Sequence, residues 1–257
     1  VLLRSNKKSK ELVDYKDTKY SNWLREKLSK YNQLLSDTEV CLVSKDKKTG
    51  AEHIIEQYYD DDLILHRKFI DYGQDDLGDV KLNYGGRMYG RWCNLSDLQR
   101  KMLTLNGDET IELDLEASTV NFMYKNISDA KYQEGDPYYL SIDGKVIPRH
   151  IVKQASTIML STGSIRAATS ALMNHYTPRL DEWIKDNRSK EKKEKAKEYV
   201  EIVSVIKPSE IMKAFLQKHI YIKEFYLKGK KMGDYVACME SDRVFEIIRQ
   251  LTEKSIP

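Results

Sequence analysis

The sequence predicts an α/β protein in which an antiparallel sheet is joined to a mainly helical region. Apolar and acidic residues alternate from Thr110 to Glu116, as they do in a half-buried strand. Paired glycines and aromatic residues within 85–92 predict a bent strand or two short ones. Apolar residues recur at helical spacing within 18–35 and 208–254, which predicts helices with one buried face. A proline at a first-turn position predicts a further helix from about Pro148 to Leu160.

The composition fits a globular chain with a full-sized core. Its 257 residues suffice for one large domain or two modest ones, with 40% hydrophobic and 32% charged residues. No apolar run approaches the length of a membrane span, so no membrane partner is expected. The cysteines Cys41, Cys93 and Cys238 are scattered, which favours a reducing, intracellular location without a zinc site. The net charge of +3 is too small to indicate a nucleic acid partner. Only the positions of the basic residues along the chain can indicate one.

Residues 1–84 read as an N-terminal region of mixed helix and strand. Val1–Leu3 begins as a strand, and a helix with one packing face follows from about Thr18 to Leu35. Asp60–Asp62 either opens a helix, where the macrodipole favours acidic residues, or binds a cation. The basic cluster His66–Lys68 either contacts phosphates or forms a charged loop edge.

Glycine, arginine and aromatic residues alternate closely within 84–92. The glycines permit a close backbone approach, the arginines suit phosphates, and the aromatic rings suit bases or sugars. The sequence therefore predicts nucleic-acid contacts by Gly85, Gly86, Arg87, Tyr89 and Arg91.

The alternation in 110–116 predicts a strand with three carboxylates on one face. These are Glu112, Asp114 and Glu116. Like charges so close together need water, basic groups or cations, and hard divalent cations prefer carboxylate oxygens. Asp114 is the first candidate for a metal ligand, and a solvated acidic strand face is the alternative.

The helix predicted from Pro148 to Leu160 carries two cations one turn apart, at Arg149 and Lys153. Like charges at this spacing cost roughly 0.2–0.5 kcal/mol in an isolated helix, and an anion between them reverses the sign. The pair therefore predicts either a phosphate site or a solvated basic face.

Further along, Ile165–Tyr176 is predicted helical, and a run of lysine and glutamate from Lys185 to Glu198 reads as an exposed helix or mobile excursion. A nucleic-acid contact arm is the alternative for this run. Two more helices with buried faces are predicted in 208–254, separated by Leu227–Gly233.

In this order, the GGR hairpin, the acidic strand and the basic helix resemble the palm and fingers of family A DNA polymerases. The resemblance is strongest to divergent polymerase-like proteins of mobile elements. Asp114 matches the metal-binding aspartate of motif A, and the backbone carbonyl of Leu115 matches a further metal ligand. Arg149 and Lys153 match the basic pair of the motif B helix, which holds the triphosphate of the incoming nucleotide.

The resemblance implies a palm hairpin and motif A strand in 85–124, a fingers-like helical region in 125–206 and palm-associated helices in 207–257. It also implies template-dependent DNA synthesis with Mg²⁺ or Mn²⁺. The expected partners are primer-template DNA and deoxynucleotides, in a bacterial cytoplasm and a phage or plasmid context. A second catalytic aspartate, in motif C, is expected from a segment beyond Pro257 or from another chain, so the 257 residues alone are expected to be inactive.

Three features of the sequence differ from the family A pattern. Leu115 stands where a tyrosine is usual, and Thr119 replaces a residue that helps to select the sugar. Thr157 and Ser161 replace aromatic residues of the fingers. Two other functions therefore stay open. One is a non-catalytic module that binds nucleic acid or assists assembly, and the other is a different metal-dependent phosphotransferase.

Overall fold

The computed structural model describes residues 1–6, 10–46, 48–76, 78–114, 116–126, 135–177 and 190–257. The chain divides into two compact units. Unit 1 comprises residues 1–116 and 237–257, and unit 2 comprises residues 117–236. This division falls inside the region 85–124 that the family resemblance assigns to the palm hairpin and motif A.

Unit 1 contains two sheets and flanking helices. Its strands are β1 (Leu2–Ser5), β2 (Val40–Lys45), β3 (Glu52–Tyr58), β4 (His66–Asp71), β5 (Gly85–Tyr89), β6 (Leu103–Leu105) and β7 (Asp108–Glu109). Its helices are α1 (Lys19–Ser36), the short α2 (Asp97–Arg100) and two 3-10 turns, Asp60–Leu63 and Arg91–Asn94. One sheet has the order β1-β4-β5 and the other the order β3-β2-β6-β7. Only the β1–β4 pair among these is parallel.

The β4–β5 hairpin contains a bulge at its glycines. Phe69 pairs with Gly85 and Lys68 with Arg87, so Gly86 is the extra residue of the bulge. Both glycines have positive φ, 74° at Gly85 and 62° at Gly86, a region that favours glycine. The bulge turns Gly86 inward, where a Cβ would lie only 3.0 Å from both the Cys238 sulfur and the Phe69 ring.

Unit 2 is mainly helical. It contains α3 (Ser118–Asn126), α4 (Arg149–Ser161), α5 (Ile165–Tyr176), α6 (Lys190–Val203) and α7 (Pro208–Lys218), a 3-10 turn (Lys223–Phe225), and a small hairpin of β8 (Leu140–Ile142) and β9 (Lys145–Ile147). The last helix, α8 (Lys230–Glu253), contributes its first residues to unit 2 and the rest to unit 1. The core of unit 2 centres on the buried faces of α4, α5 and α7, which include Ile151, Leu172 and Phe215.

The lysine-rich run forms the exposed helix that its sequence predicts. Over 190–198 the chain is helical and only Ala196 is buried, so the prediction of an exposed helix is confirmed there. Helix α6 packs through one narrow apolar face that continues to Tyr199 and Ile202, and the Tyr199 ring stacks on Tyr176 with a centroid distance of 4.5 Å. Residues 185–189 of the run lie outside the described part.

The strand predicted from Thr110 to Glu116 is not formed in the part of it that the structure describes. Residues 111–114 have no helix or strand, and Ile111 and Leu113 are 85% and 89% exposed. The described apolar residues of the pattern are therefore not buried, which removes the reason for a strand over them. Leu115, predicted to offer a backbone carbonyl to a metal, lies outside the described residues.

The coarse fold prediction is confirmed, since the chain is mixed α/β and its strands pair mostly antiparallel. The helices predicted at 18–35, 148–160 and 165–176 are confirmed within two residues at each end. In the described part of the chain, no helix is long and apolar enough to cross a membrane.

Candidate functional site

The outer face of the β4–β5 hairpin is the first candidate site. His66 lies opposite Tyr89, and Lys68 lies opposite Arg87, so these four side chains share one face of the sheet. We call them the hairpin face. The Lys68 ammonium lies 4.9 Å from the centre of the Tyr89 ring, and Arg87 is exposed. Two cations directly opposite each other repel, so this face favours an anion.

The other predicted contacts of the hairpin are already engaged. Arg91 pairs with Asp62 at 2.6 Å and with Glu56 at 3.2 Å, so two carboxylates already neutralise it. Gly85 and Gly86 are buried, and the packing of Ile70, Phe69 and Cys238 accounts for them without a nucleic acid. Of the five predicted contacts, Arg87 and Tyr89 are the two that lie on the hairpin face.

Asp114 lies in the extended segment after β7, and it is exposed. Its neighbour Glu112 forms an ion pair with Arg100 at 2.8 Å, so its carboxylate is engaged and does not pair with Asp114 as a second oxygen ligand for a cation. In the described ranges, no group of three or more His, Cys, Asp or Glu side chains is placed to hold a metal ion. Divalent cations need several oxygen ligands, so the residues around Asp114 alone do not fit a resident Mg²⁺ or Mn²⁺.

The second candidate site lies on α4 in unit 2. Ile151, Val152 and Ala155 bury one face of this helix, while Arg149, Lys153 and Thr157 follow one another at four-residue spacing on the exposed side. The sequence predicted this arrangement for the two cations, and the structure places both where an anion in solvent can reach them.

Arg149 already has an acidic partner. Its Nε donates to Asp136 at 2.7 Å, and its guanidinium lies 5.1 Å from the centre of the Tyr138 ring. Burial opposes ionisation of Asp136, but the Tyr138 backbone N–H and the Arg149 guanidinium outweigh it and lower the Asp136 pKa. Asp136 also accepts from the Tyr138 backbone N–H in a turn, and a phosphate would have to compete with it for Arg149.

Lys153 instead faces a basic cavity of about 440 Å³ between α4, α5 and α6. We call it the α4–α6 cavity. Among the residues that the structure describes, its lining comprises His150, Lys153, Gln154, Thr157, His175, Tyr176, Lys192, Lys193, Lys195 and Ala196. Four of these described residues carry an ammonium group and none of them carries a carboxylate, so this part of the lining favours anions.

The walls of the α4–α6 cavity are held together by polar contacts and stacked rings. His150 Nε2 lies 3.2 Å from the Lys195 carbonyl oxygen, and the Tyr176 hydroxyl donates to the His150 carbonyl at 3.1 Å. Burial lowers the pKa of both His150 and His175 from their ordinary value near 6.5, so both rings are neutral at pH 7. The positive charge of the cavity at that pH therefore comes from its lysines.

Sequence reasoning left the roles of two sets of lysines open. Lys68 was assigned either to phosphate contacts or to a charged loop edge, and the pairing that places it beside Arg87 is seen only in the structure. The lysines of α6 were assigned to an exposed helix, a mobile excursion or a nucleic-acid contact arm, and their place near Lys153 is likewise seen only in the structure. Comparison with known proteins gives no match to a family model, a curated protein or a solved structure. The candidate sites therefore rest on residues and geometry.

Proposed function

We propose that this chain forms the palm and fingers of a template-dependent DNA polymerase. The observation that carries the proposal is the exposed basic row of α4, where Arg149 and Lys153 lie on the solvent side of a helix whose opposite face is buried. The order of motifs along the chain supports the same function, since the GGR hairpin and Asp114 precede this helix as they do in family A polymerases.

In this proposal, Lys153 and Arg149 bind the triphosphate of the incoming deoxynucleotide. Lysine supplies a point charge, and arginine supplies a planar fork that suits phosphate oxygens. Arg149 exchanges Asp136 for phosphate, so its contribution is smaller than that of a free arginine. Positive charge held beside the phosphates stabilises the charge that develops as the primer 3′-hydroxyl attacks the α-phosphorus and pyrophosphate leaves.

Asp114 is the proposed carboxylate at the site of nucleotidyl transfer. One exposed carboxylate holds a divalent cation weakly, so a role for Mg²⁺ or Mn²⁺ requires further oxygen ligands. We assign those ligands to residues away from the neighbourhood of Asp114, in this chain or in another. Polymerase activity therefore requires acidic residues in addition to Asp114, and this requirement can be tested directly.

Primer extension tests the proposal. The full chain is expected to extend a primed DNA template with Mg²⁺ or Mn²⁺. In it, Asp114→Asn is expected to reduce extension to background, because the amide removes the negative charge at the proposed transfer site. The measurement is the length distribution of a labelled primer on a denaturing gel.

Asp108→Asn is the matched control, because Asp108 is an exposed aspartate on β7 a few residues before Asp114. This variant is expected to extend the primer like the unchanged protein. If no version extends the primer, or if Asp114→Asn and Asp108→Asn behave alike, the polymerase proposal is abandoned.

A nucleic-acid-binding module without catalysis is the second candidate function, and the hairpin face favours it. Lys68 and Arg87 lie opposite each other beside the Tyr89 ring, without requiring any metal. Cations that neutralise phosphates release counterions, so binding of this kind weakens steeply as salt rises.

Binding of primer-template DNA is expected to depend on the hairpin face. Each of Lys68→Gln and Arg87→Gln should weaken binding and reduce the slope of log K against log salt by about one unit. Arg91→Gln is the control, since Arg91 is paired with Asp62 and Glu56 and should change the slope little. Fluorescence anisotropy across a salt series measures all three. Equal slopes for Arg87→Gln and Arg91→Gln would remove the hairpin face from the binding surface.

A further inference from the structure

The α4–α6 cavity joins a helix with a predicted role to one without any. Lys153 comes from α4, whereas Lys192, Lys193 and Lys195 come from α6, the segment that the sequence presents as solvated. The basic pair of α4 therefore does not explain why lysines of α6 line the same cavity.

Most of the lysines in this cavity lack an acidic partner. Lys195 pairs with Glu191 one turn earlier on α6. Within the described ranges, Lys153, Lys192 and Lys193 form no ion pair with a carboxylate. Ammonium groups gathered around one space repel each other, and a multiply charged anion relieves that repulsion.

Size and chemistry narrow the class of anion. The volume of about 440 Å³ lies within the range of roughly 300–1,000 Å³ that is typical of small-molecule sites. A polymer such as DNA would need a groove that continues past the cavity, whereas a compact chain of phosphates can contact lysines from both walls at once. Gln154 and Thr157 add neutral hydrogen-bonding groups to the same lining.

The mouth of the cavity is accessible and its walls are fixed. Lys153, Lys192 and Lys193 are exposed, so an anion can enter from solvent. Ala196 and Tyr199 are buried, and Tyr199 stacks on Tyr176, so α6 has a fixed place against α5. The lysines of α6 are thereby held near Lys153.

We propose that the α4–α6 cavity is a polyphosphate-binding site in which Lys192 and Lys193 of α6 hold phosphates together with Lys153 of α4. The ligand class is a compact chain of phosphates, either free or as the tail of a nucleoside triphosphate. This inference rests on the cavity lining and not on nucleotidyl transfer. It assigns a binding role to α6, which the polymerase proposal leaves without one.

Isothermal titration of the 257-residue chain tests the site with three probes: sodium tripolyphosphate, a deoxynucleoside triphosphate and a short single-stranded oligonucleotide. Tripolyphosphate and the nucleotide are expected to bind and to compete with each other. The double variant Lys192→Gln/Lys193→Gln should weaken both by about tenfold, since it removes two partly exposed charge contacts. Binding by the nucleotide alone would show that the nucleoside and not the phosphate chain is recognised, which would overturn the proposal.

Lys197→Gln/Lys213→Gln is the matched control, because both lysines are exposed in unit 2 and neither lines the cavity. It removes the same net charge and should leave both affinities within about twofold of the unchanged chain. Lys192→Arg/Lys193→Arg keeps the charges and should bind tripolyphosphate normally, which separates a loss of charge from a loss of folding. Equal weakening in the two glutamine pairs would assign the effect to overall charge and overturn the site.

The oligonucleotide separates a phosphate cavity from a nucleic-acid surface. It is expected not to displace tripolyphosphate, and displacement sensitive to Lys192 and Lys193 would replace the proposal with a nucleic-acid surface. If tripolyphosphate binds as described while primer extension fails, the cavity stands and the polymerase proposal falls. If the primer is extended but tripolyphosphate does not bind, the polymerase proposal stands and the polyphosphate site is abandoned.

Discussion

Gly86→Ala is expected to lower the free energy of unfolding by about 3 kcal/mol. The backbone at Gly86 has a φ of 62°, a conformation that costs an alanine roughly 1–2 kcal/mol. The added Cβ would also lie 3.0 Å from the Cys238 sulfur and the Phe69 ring, and such overpacking costs about 1–3 kcal/mol. Urea unfolding followed by far-UV circular dichroism and tryptophan fluorescence measures the loss.

Gly107→Ala separates the two causes. Gly107 has a φ of 82° in the β6–β7 turn, and nothing lies within 4 Å of the position of its missing Cβ. This variant is therefore expected to cost only the backbone part, about 1 kcal/mol. If the two variants lose the same stability, crowding around Gly86 contributes nothing and the close packing of the bulge is relaxed in solution.

The bulge also shows where sequence reasoning stops. Paired glycines in a strand predict a close approach, and the structure contains one. The atoms that approach could not be foreseen, because Gly86 is contacted by α8, where Ser241 donates to its carbonyl oxygen from 155 positions later in the chain. Paired glycines indicate that a side chain would not fit at this position, but they do not show which distant residues pack against it.

Helices were predicted better than strands, and the reason is the burial of their faces. In α4 and α5, apolar residues recur along one side because that side packs in the core, so spacing alone locates them. Strand β3 has no such signal, since Ile54 and Ile55 are 61% and 58% exposed and most of its other residues are polar. Conversely, Ile111 and Leu113 alternate with acidic residues but are both exposed, so the pattern there is misleading.

The part of the candidate sites that lies within a single helix was predicted from residue spacing. Arg149 and Lys153 share a helix, and a four-residue spacing fixes their common face without any knowledge of the fold. That Arg149 pairs with Asp136 depends on a turn 13 positions earlier, and the cavity that Lys153 faces depends on α6, about 40 positions later. Contacts between elements distant in sequence require the structure.

Asp242→Ala is expected to destabilise the protein by about 3 kcal/mol, because it leaves a buried cation without its partner. The Arg67 side chain is fully buried and forms an ion pair with Asp242, whose side chain is 47% exposed. Arg67 Nε also donates to the Gly86 carbonyl at 2.7 Å, and its guanidinium lies 4.9 Å and 5.0 Å from the centres of the Phe69 and Phe245 rings. Removing one partner of a buried pair costs about 3–5 kcal/mol, and the partial exposure of Asp242 places this case at the low end.

Arg67→Met is expected to cost less than Asp242→Ala, although it removes the larger side chain. Methionine fills much of the same space, and the remaining Asp242 carboxylate is exposed enough to be hydrated. The double variant Arg67→Met/Asp242→Ala should therefore be about as stable as Arg67→Met alone, since no buried charge is left to compensate. Urea unfolding of the three variants gives the coupling free energy between the two residues. A larger loss for Arg67→Met than for Asp242→Ala would mean that Arg67 acts chiefly through its packing between Phe69 and Phe245, and that solvent already screens its charge.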